Sequence, residues 1–411
     1  MDPIEAADIQ SALQNFLGTT KDVAFEYKVA KGTEKLQGFV SLIKRAVVTY
    51  EDGIGEKKEV RLIVKMPPVS EHQLSYTKGS DFHQRECDFF NSAVPILERN
   101  FKNSPASFPL VKCFLANERA VILEDLCASR HEIVSKPLSS TNYCSLEYIY
   151  IEMVFQQLAL FHSASVGTNW PKVLPLIQVD GLFEGHGRNM MEPRIKNGAL
   201  FVAEVLRLEF PDAYKKYSEW LSTGEFYNKI VDICKPSQHR RNCLCHGDMW
   251  ENNVMFRFDK DRQPTSMKII DLQMVRYNPP AFDLQFFMYL CTDKDFRDAN
   301  EVPLLATYVD LFNRNLPESE PQMTMEDFLQ EYEEFRLFGT LLAATMRPSV
   351  LLEGSWVSEN DGEMNGDVVE NFIYGKPVEE MVKQFKVDET FRWAIMAIVD
   401  ELVKELDKTG I

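Results

Sequence analysis

Residues 246–253 read His246-Gly247-Asp248-Met249-Trp250-Glu251-Asn252-Asn253, and a second carboxylate, Asp271, closes the run MKIID at 267–271. A carboxylate, a side-chain amide at H-G-D-x-x-x-x-N spacing and another carboxylate beyond a hairpin are the groups that phosphoryl transfer needs. Asp248 is the candidate base, placed to orient an acceptor hydroxyl and take its proton. Asn253 and Asp271 are candidate ligands for Mg²⁺, an ion that prefers oxygen donors and keeps several waters. The bland alternative is a loop Asp and Asn that cap nearby backbone groups. The context weighs against it: VMFRF at 254–258, a turn over 259–262 and MKIID would return the chain so that Asp271 approaches Asn253.

Lys65 is the second element. It lies in RLIVKM, a strand of largely apolar residues, so its ammonium is expected to face a cleft. Glu86, on the helix that follows, is its natural partner, and the pair would set the lysine on the α- and β-phosphates. Taken alone, Lys65 could equally snorkel from a strand end and Glu86 lie on a solvated face. The segment Gly32 to Gly38 can offer backbone N–H groups to phosphates, with Gly32 its first glycine; a plain hairpin loop fits it as well. The chain has neither a Walker loop nor a strand-linked G-x-G-x-x-G, which argues against P-loop and dinucleotide folds. Cys243-Leu244-Cys245-His246 lacks a second ligand pair at finger-like spacing, so zinc is not expected there. Asp283 reads as an N-cap for a helix over 284–290 that also braces the catalytic loop, and His162 as a packed core histidine.

Elements must position these groups. Asp8 is expected to cap a helix carrying Ile9, Leu13, Phe16 and Leu17, ended by Gly18. Runs 23–30, 39–50 and 59–66 read as strands, a helix opens at Asp81 and ends near Pro95, and strands follow near 110–115 and 119–124. From about residue 141 the chain turns helical, with 146–161 apolar almost all round, and further helical stretches at 199–234, 326–346 and 378–408. The expected fold class is α+β: a lobe of antiparallel β structure with one helix over 1–123, a hinge at 124–129, and a larger, mostly helical lobe over 130–411.

Composition narrows the function. The 411 residues are 45% hydrophobic and 26% charged, the balance of a globular chain, and carry a net charge of −17. Such a surface repels phosphate backbones, so no nucleic-acid or membrane partner is expected. Any anionic ligand must find its own cations in the site. No apolar run is long enough to span a bilayer, and the acidic start MDPIEAADIQ is unlike a signal peptide. The eight cysteines are irregularly spaced, which suits free thiols and a cytoplasmic location. No obligate protein partner is evident.

At these residues the sequence resembles the ecdysteroid kinase-like (CHK-kinase-like) family of insects, some of whose members carry the name juvenile hormone-inducible protein. More distantly it is similar to choline kinases and aminoglycoside phosphotransferases. The resemblance rests on LIVKMPP around Lys65, F-x-x-x-E around Glu86, VILEDL at 121–126, LALFH at 158–162, HGDMWENNV at 246–254, IIDLQ at 269–273 and PPAFDL at 279–284. It implies a bilobal protein-kinase-like fold with ATP and Mg²⁺ as cofactors. Asp248 would be the base, Asn253 and Asp271 the metal ligands, Lys65 and Glu86 the phosphate-positioning pair, and the backbone around Glu124 to Leu126 the adenine support. The family's Gly-Asn-Tyr loop reads Gly32-Thr33-Glu34 here, and Asp271-Leu272-Gln273 argues against protein substrates. The expected reaction is phosphorylation of a hydroxyl on a small apolar alcohol, an ecdysteroid above all. Two alternatives stay open: a catalytically silent small-molecule-binding pseudokinase, and a kinase of choline-like or xenobiotic alcohols. Phe282, Phe286, Phe287, Met288 and Tyr289 and an apolar tract from Leu341 to Trp356 offer material for an acceptor site, though any one of them more simply packs the helical lobe; the expected groove lies beside Asp248, walled partly by the 341–356 tract. The acidic run Glu359, Asp361, Glu363 and Asp367 could instead serve a cationic acceptor.

Overall fold

Helix α1 (Ala6–Leu17) turns Ile9, Ala12 and Leu13 inward and ends on Gly18, whose φ of 64° is the left-handed form that closes helices. The computed structural model describes residues 4–31, 41–68, 77, 79–101, 107–134, 146–352 and 376–409. Asp8 does not cap α1. It lies inside the first turn, buried, and accepts from Arg119 Nη2 (2.8 Å) and Nε (3.0 Å) and from Asn117 Nδ2 (2.9 Å). The N-cap position is taken by Glu5, whose side chain makes no cap bond and lies 3.6 Å from Arg119 Nε.

Strands β1 (Phe25–Lys31), β2 (Leu42–Glu51) and β3 (Lys57–Met66) form an antiparallel meander, and the sheet order is β1-β2-β3-β5-β4. Because side chains alternate along a strand, Leu62, Val64 and Met66 of β3 pack under α1, while Lys65 points to the other face. Helix α2 (Phe82–Asp88) follows, then a π-helical turn (Phe89–Ala93) and α3 (Val94–Phe101). Asp81 precedes α2 with φ 56° and makes no side-chain cap bond. Pro95 does not end the helix, contrary to expectation. The wide turn just before it carries the chain past a residue with no N–H to give.

Strands β4 (Cys113–Ala116) and β5 (Val121–Glu124) complete the sheet. In β5, Ile122 faces the small core beneath α1, while its neighbours Val121 and Leu123 face a much larger core. That core is built around α4 (Tyr148–Ser165), which is apolar nearly all round. The same core takes in α5 (Gly185–Glu209), α6 (Pro211–Ser222) and α7 (Glu225–Ile233). Further along the chain come α8 (Ala281–Cys291), α9 (Lys294–Asn315), α10 (Met325–Glu334), α11 (Arg336–Leu352), α12 (Val378–Val387) and α13 (Glu389–Thr409). The architecture is therefore the expected bilobal α+β one.

Small sheets set the site into this lobe. A two-residue strand β6 (His131–Glu132) borders the hairpin of β8 (Val254–Phe258) and β9 (Pro264–Ile269), and β7 (Cys243–Cys245) pairs with β10 (Arg276–Asn278). No helix among the described residues is long and apolar enough to cross a membrane.

Candidate active site

Strand β7 delivers His246, Gly247 and Asp248 to the cleft. Gly247 has φ 88°, and a Cβ there would lie 2.1 Å from the Met274 carbonyl, so only glycine fits. Asp283 holds this loop from below, its Oδ2 accepting from the His246 N–H (2.6 Å) and its Oδ1 from the Gly247 N–H (2.9 Å). The expected brace is therefore present, but Asp283 is not an N-cap. It sits in the first turn of α8, fully buried, where both oxygens can reach backward to the loop. His162 Nε2 lies 3.1 Å from the same carboxylate, and its Nδ1 lies 2.8 Å from the Tyr308 hydroxyl. Burial opposes a charged imidazole, but the hydrogen bond His162 makes to the Asp283 carboxylate, with the neighbouring Cys245 acting in the same direction, outweighs it and pushes His162 up to about 9. The same pairing, against burial, holds the Asp283 carboxyl below its usual range.

His162, Cys243 and Cys245 come within 4.8 Å of one another. Both ring nitrogens of His162 already have partners, and the thiols donate to the Asn278 and Pro279 carbonyls at 3.5–3.6 Å. Burial pushes both thiols up, so thiolate ligands are disfavoured. The cluster is a hydrogen-bonded floor.

Above the floor, the expected groups meet. Asn253 donates Nδ2 to the Asp248 carbonyl (2.8 Å) and to Asp248 Oδ2 (3.1 Å). The β8–β9 hairpin pairs Val254 with Ile269, and the Ile270 N–H donates to the Asn253 carbonyl (3.0 Å), which brings Asp271 alongside. Lys65 Nζ lies 2.7 Å from Glu86 Oε2 and forms a short ion pair with Asp271 Oδ1. Glu86 Oε1 accepts from the Leu272 N–H (3.2 Å), so the helix, the strand and the Asp271 loop are tied together. Burial would depress Lys65, but Asp271 and Glu86 outweigh it and hold the ammonium charged. Asp248 is pushed up to about 6, chiefly by burial, with the nearby Asp271 charge adding to the rise and His246 and Asn253 opposing it.

These donors suit Mg²⁺. The Asn253 amide nitrogen is engaged with Asp248, which leaves Oδ1 for a cation beside the Asp271 carboxylate; both are hard oxygens. At the interlobe segment, Glu124 Oε1 accepts from the Lys112 N–H (2.9 Å), and Asp125 pairs with Arg45 Nε (2.6 Å). The Leu126 carbonyl takes the His131 N–H (2.9 Å). The Glu124 and Asp125 N–H groups donate to the Lys112 (2.9 Å) and Arg61 (3.3 Å) carbonyls, so this segment is tied into the sheet. Gly32 lies outside the described residues.

The expected acceptor wall is different. Phe282, Phe286, Phe287, Met288 and Tyr289 are all buried, as are Leu341 and Leu342, and they pack the helical lobe. Phe282 stacks on Phe338 with centroids 4.7 Å apart. An α8 buried all round leaves no face for a groove. Trp356 and the acidic run from Glu359 to Asp367 lie outside the described residues. Three charged residues that no motif marked, Arg85, Asp180 and Arg276, lie beside the catalytic loop; each lacks a nearby sequence partner that would have signalled it.

Residues 35–319 match the ecdysteroid kinase-like family. The chain belongs to that family. Membership supports a small-molecule kinase. An uncharacterized oxidoreductase of Caenorhabditis elegans, dhs-27, is 24% identical over 322 residues, 72% of this chain and 36% of that protein. The chain thus spans about a third of that curated relative. Among solved structures, an ethanolamine kinase of Plasmodium vivax is 12% identical with a TM-score of 0.42, covering 90% of this chain and 82% of that one. A choline/ethanolamine kinase family protein of Mesorhizobium loti is also 12% identical, with a TM-score of 0.37, covering 95% and 98%. The ADP-bound aminoglycoside phosphotransferase APH(2'')-Ib is 13% identical with a TM-score of 0.35, covering 90% and 97%.

Proposed function

We propose that this chain is an ATP- and Mg²⁺-dependent kinase that phosphorylates a hydroxyl of a small apolar alcohol, an ecdysteroid in particular, in the cytoplasm. The observation that carries the reading is the meeting of Lys65, Glu86, Asp248, Asn253 and Asp271, drawn from three distant stretches of chain. Family membership favours the steroid acceptor.

In this reading residues 1–123 bind nucleotide, 124–129 act as hinge and 130–411 hold the acceptor. The backbone from Glu124 to Leu126 supports adenine, the Gly32 segment covers the phosphates, and Lys65, held by Glu86, fixes the α- and β-phosphate oxygens. Asn253 Oδ1 and the Asp271 carboxylate hold Mg²⁺, which when bound supplies positive charge to the phosphates. Asp248, steadied by the Asn253 amide, accepts a hydrogen bond from the acceptor hydroxyl and takes its proton as the hydroxyl oxygen bonds to the γ-phosphorus and the bond from that phosphorus to the β,γ-bridging oxygen breaks, releasing ADP.

The test is incubation with labelled ATP and a panel of ecdysteroids, choline and an aminoglycoside, with Mg²⁺ or EDTA. Label should pass to a steroid only when Mg²⁺ is present. Labelled choline with unlabelled steroids would change the acceptor, and no transfer to any alcohol would remove the kinase reading.

A further inference from the structure

Two buried guanidinium groups flank the turn at Asp180, a residue remote in sequence from every motif of the cleft. Arg276 of β10 brings Nη1 to 2.6 Å from Asp180 Oδ2 and donates Nη2 to the Gly247 carbonyl (3.3 Å). Its guanidinium lies 4.4 Å from the Phe282 ring centroid and 5.4 Å from that of Phe183. Arg85, the residue before Glu86, donates Nη2 to the Val179 carbonyl (2.8 Å). It sits so close to the turn that a Cβ on Gly181 would lie 3.1 Å from its Cζ. Asp180 cannot swing away, because its Oδ1 accepts from the Leu182 (2.8 Å) and Phe183 (2.7 Å) N–H groups.

These contacts close a ring. Glu86 reaches the Leu272 N–H, the chain runs from Leu272 to Arg276, Arg276 meets Asp180, and the Val179–Gly181 turn meets Arg85, which adjoins Glu86. One side of the ring carries Glu86 and so Lys65; the other carries Gly247 and so Asp248. Nε and Nη1 of Arg85 are buried and reach no hydrogen-bond acceptor. Burying two cations around one carboxylate is a poor source of stability, so its use must lie in the geometry it imposes.

We infer that Asp180 is a positioning residue for phosphoryl transfer, fixing the helix that carries Glu86 against the loop that carries Asp248 through Arg85 and Arg276. The catalytic half of this inference rests on the kinase reading; the mechanical half does not.

Asp180→Asn in the full chain keeps the shape and the Oδ1 bonds but removes the charge. Amide hydrogen exchange, read by mass spectrometry, should rise about tenfold in peptides covering both 82–88 and 246–248, with 294–315 unchanged. In parallel, kcat for the acceptor should fall about ten- to a hundredfold while KM for ATP stays within about twofold, and Asp180→Glu should recover part of the loss. Faster exchange confined to 179–184 overturns the inference, whatever the turnover. Exchange that spreads to both segments, in a protein whose wild type transfers no phosphate, upholds the mechanical link and removes the kinase reading instead. Should Asp180→Asn fail to fold, Arg85→Gln serves: it should loosen 82–88 alone, and unchanged exchange there would overturn the inference.

Discussion

Lys65 meets two carboxylates across the cleft, Glu86 and Asp271, and a third, Asp248, lies near Asp271, so one ammonium cannot neutralise them all. Beneath the same loop, His162 stands against Asp283 and Arg276 against Asp180, cation to anion, with nearly every group buried. The upper region is left short of positive charge and open to a cation; in the lower one each carboxylate already has its cation. The contrast separates groups that wait for a ligand from groups that hold position, and variants on the two sides should fail in different ways.

The largest effect belongs to the cleft. Asp248→Asn keeps the Asn253 contact and removes the base, so turnover should fall about a thousandfold with nucleotide affinity within about twofold. Unaltered turnover would break the assignment. Asp283→Ala attacks the floor instead, orphaning two loop N–H groups and a charged imidazole; it should cost about 3–5 kcal/mol of stability, measured by denaturant unfolding. A drop in turnover with no loss of stability would mean that Asp283 belongs with the cleft.

The floor should also carry a pH signature. His162 titrates at about 9 in the folded chain against 6.5 when free. A raised cationic group stabilises fully below its unfolded value, so this contribution is present below pH 6.5, declines above it and is gone beyond about 9. Stability of the wild type minus that of His162→Gln should fall by about 3 kcal/mol across that window. A flat difference would mean that the imidazole is neutral. The smallest effect returns to the cleft: Asp271→Asn should weaken Mg²⁺–ATP binding about tenfold by calorimetry, with little change in EDTA. Equal loss in both conditions would assign Asp271 to Lys65 rather than to a metal.

What the sequence disclosed follows the same division. Asp248, Asn253 and Asp271 share one loop and hairpin, and Lys65 stands out as a charge in an apolar strand, so spacing and pattern alone marked them. Asp283 was found for the right contact and the wrong position, because a proline-preceded aspartate looks like a cap whether or not the helix has already begun. Arg85, Asp180 and Arg276 carry no local signal; their relation exists only once β10 and the turn before α5 are packed together. β6, β7 and β10 are too short for alternation to show. Phe282 and its neighbours on α8 pack the core, because a helix apolar on every side reads alike as groove lining or as core, while Trp356 lies outside the described residues.

Phe89 packs against Phe161 with centroids 6.3 Å apart, and Asn100 donates to the Ala164 carbonyl (2.8 Å), so the helical stretch that carries Glu86 is moored to α4. Lys65 instead rides on the sheet, whose inner face packs under α1. The same stretch is also tied to the sheet, since His83, Cys87 and Asn91 reach the Asn117 and Ala116 carbonyls at 2.8–3.1 Å, so the 2.7 Å contact between Lys65 and Glu86 sits at the seam where the sheet and α4 share one helical stretch.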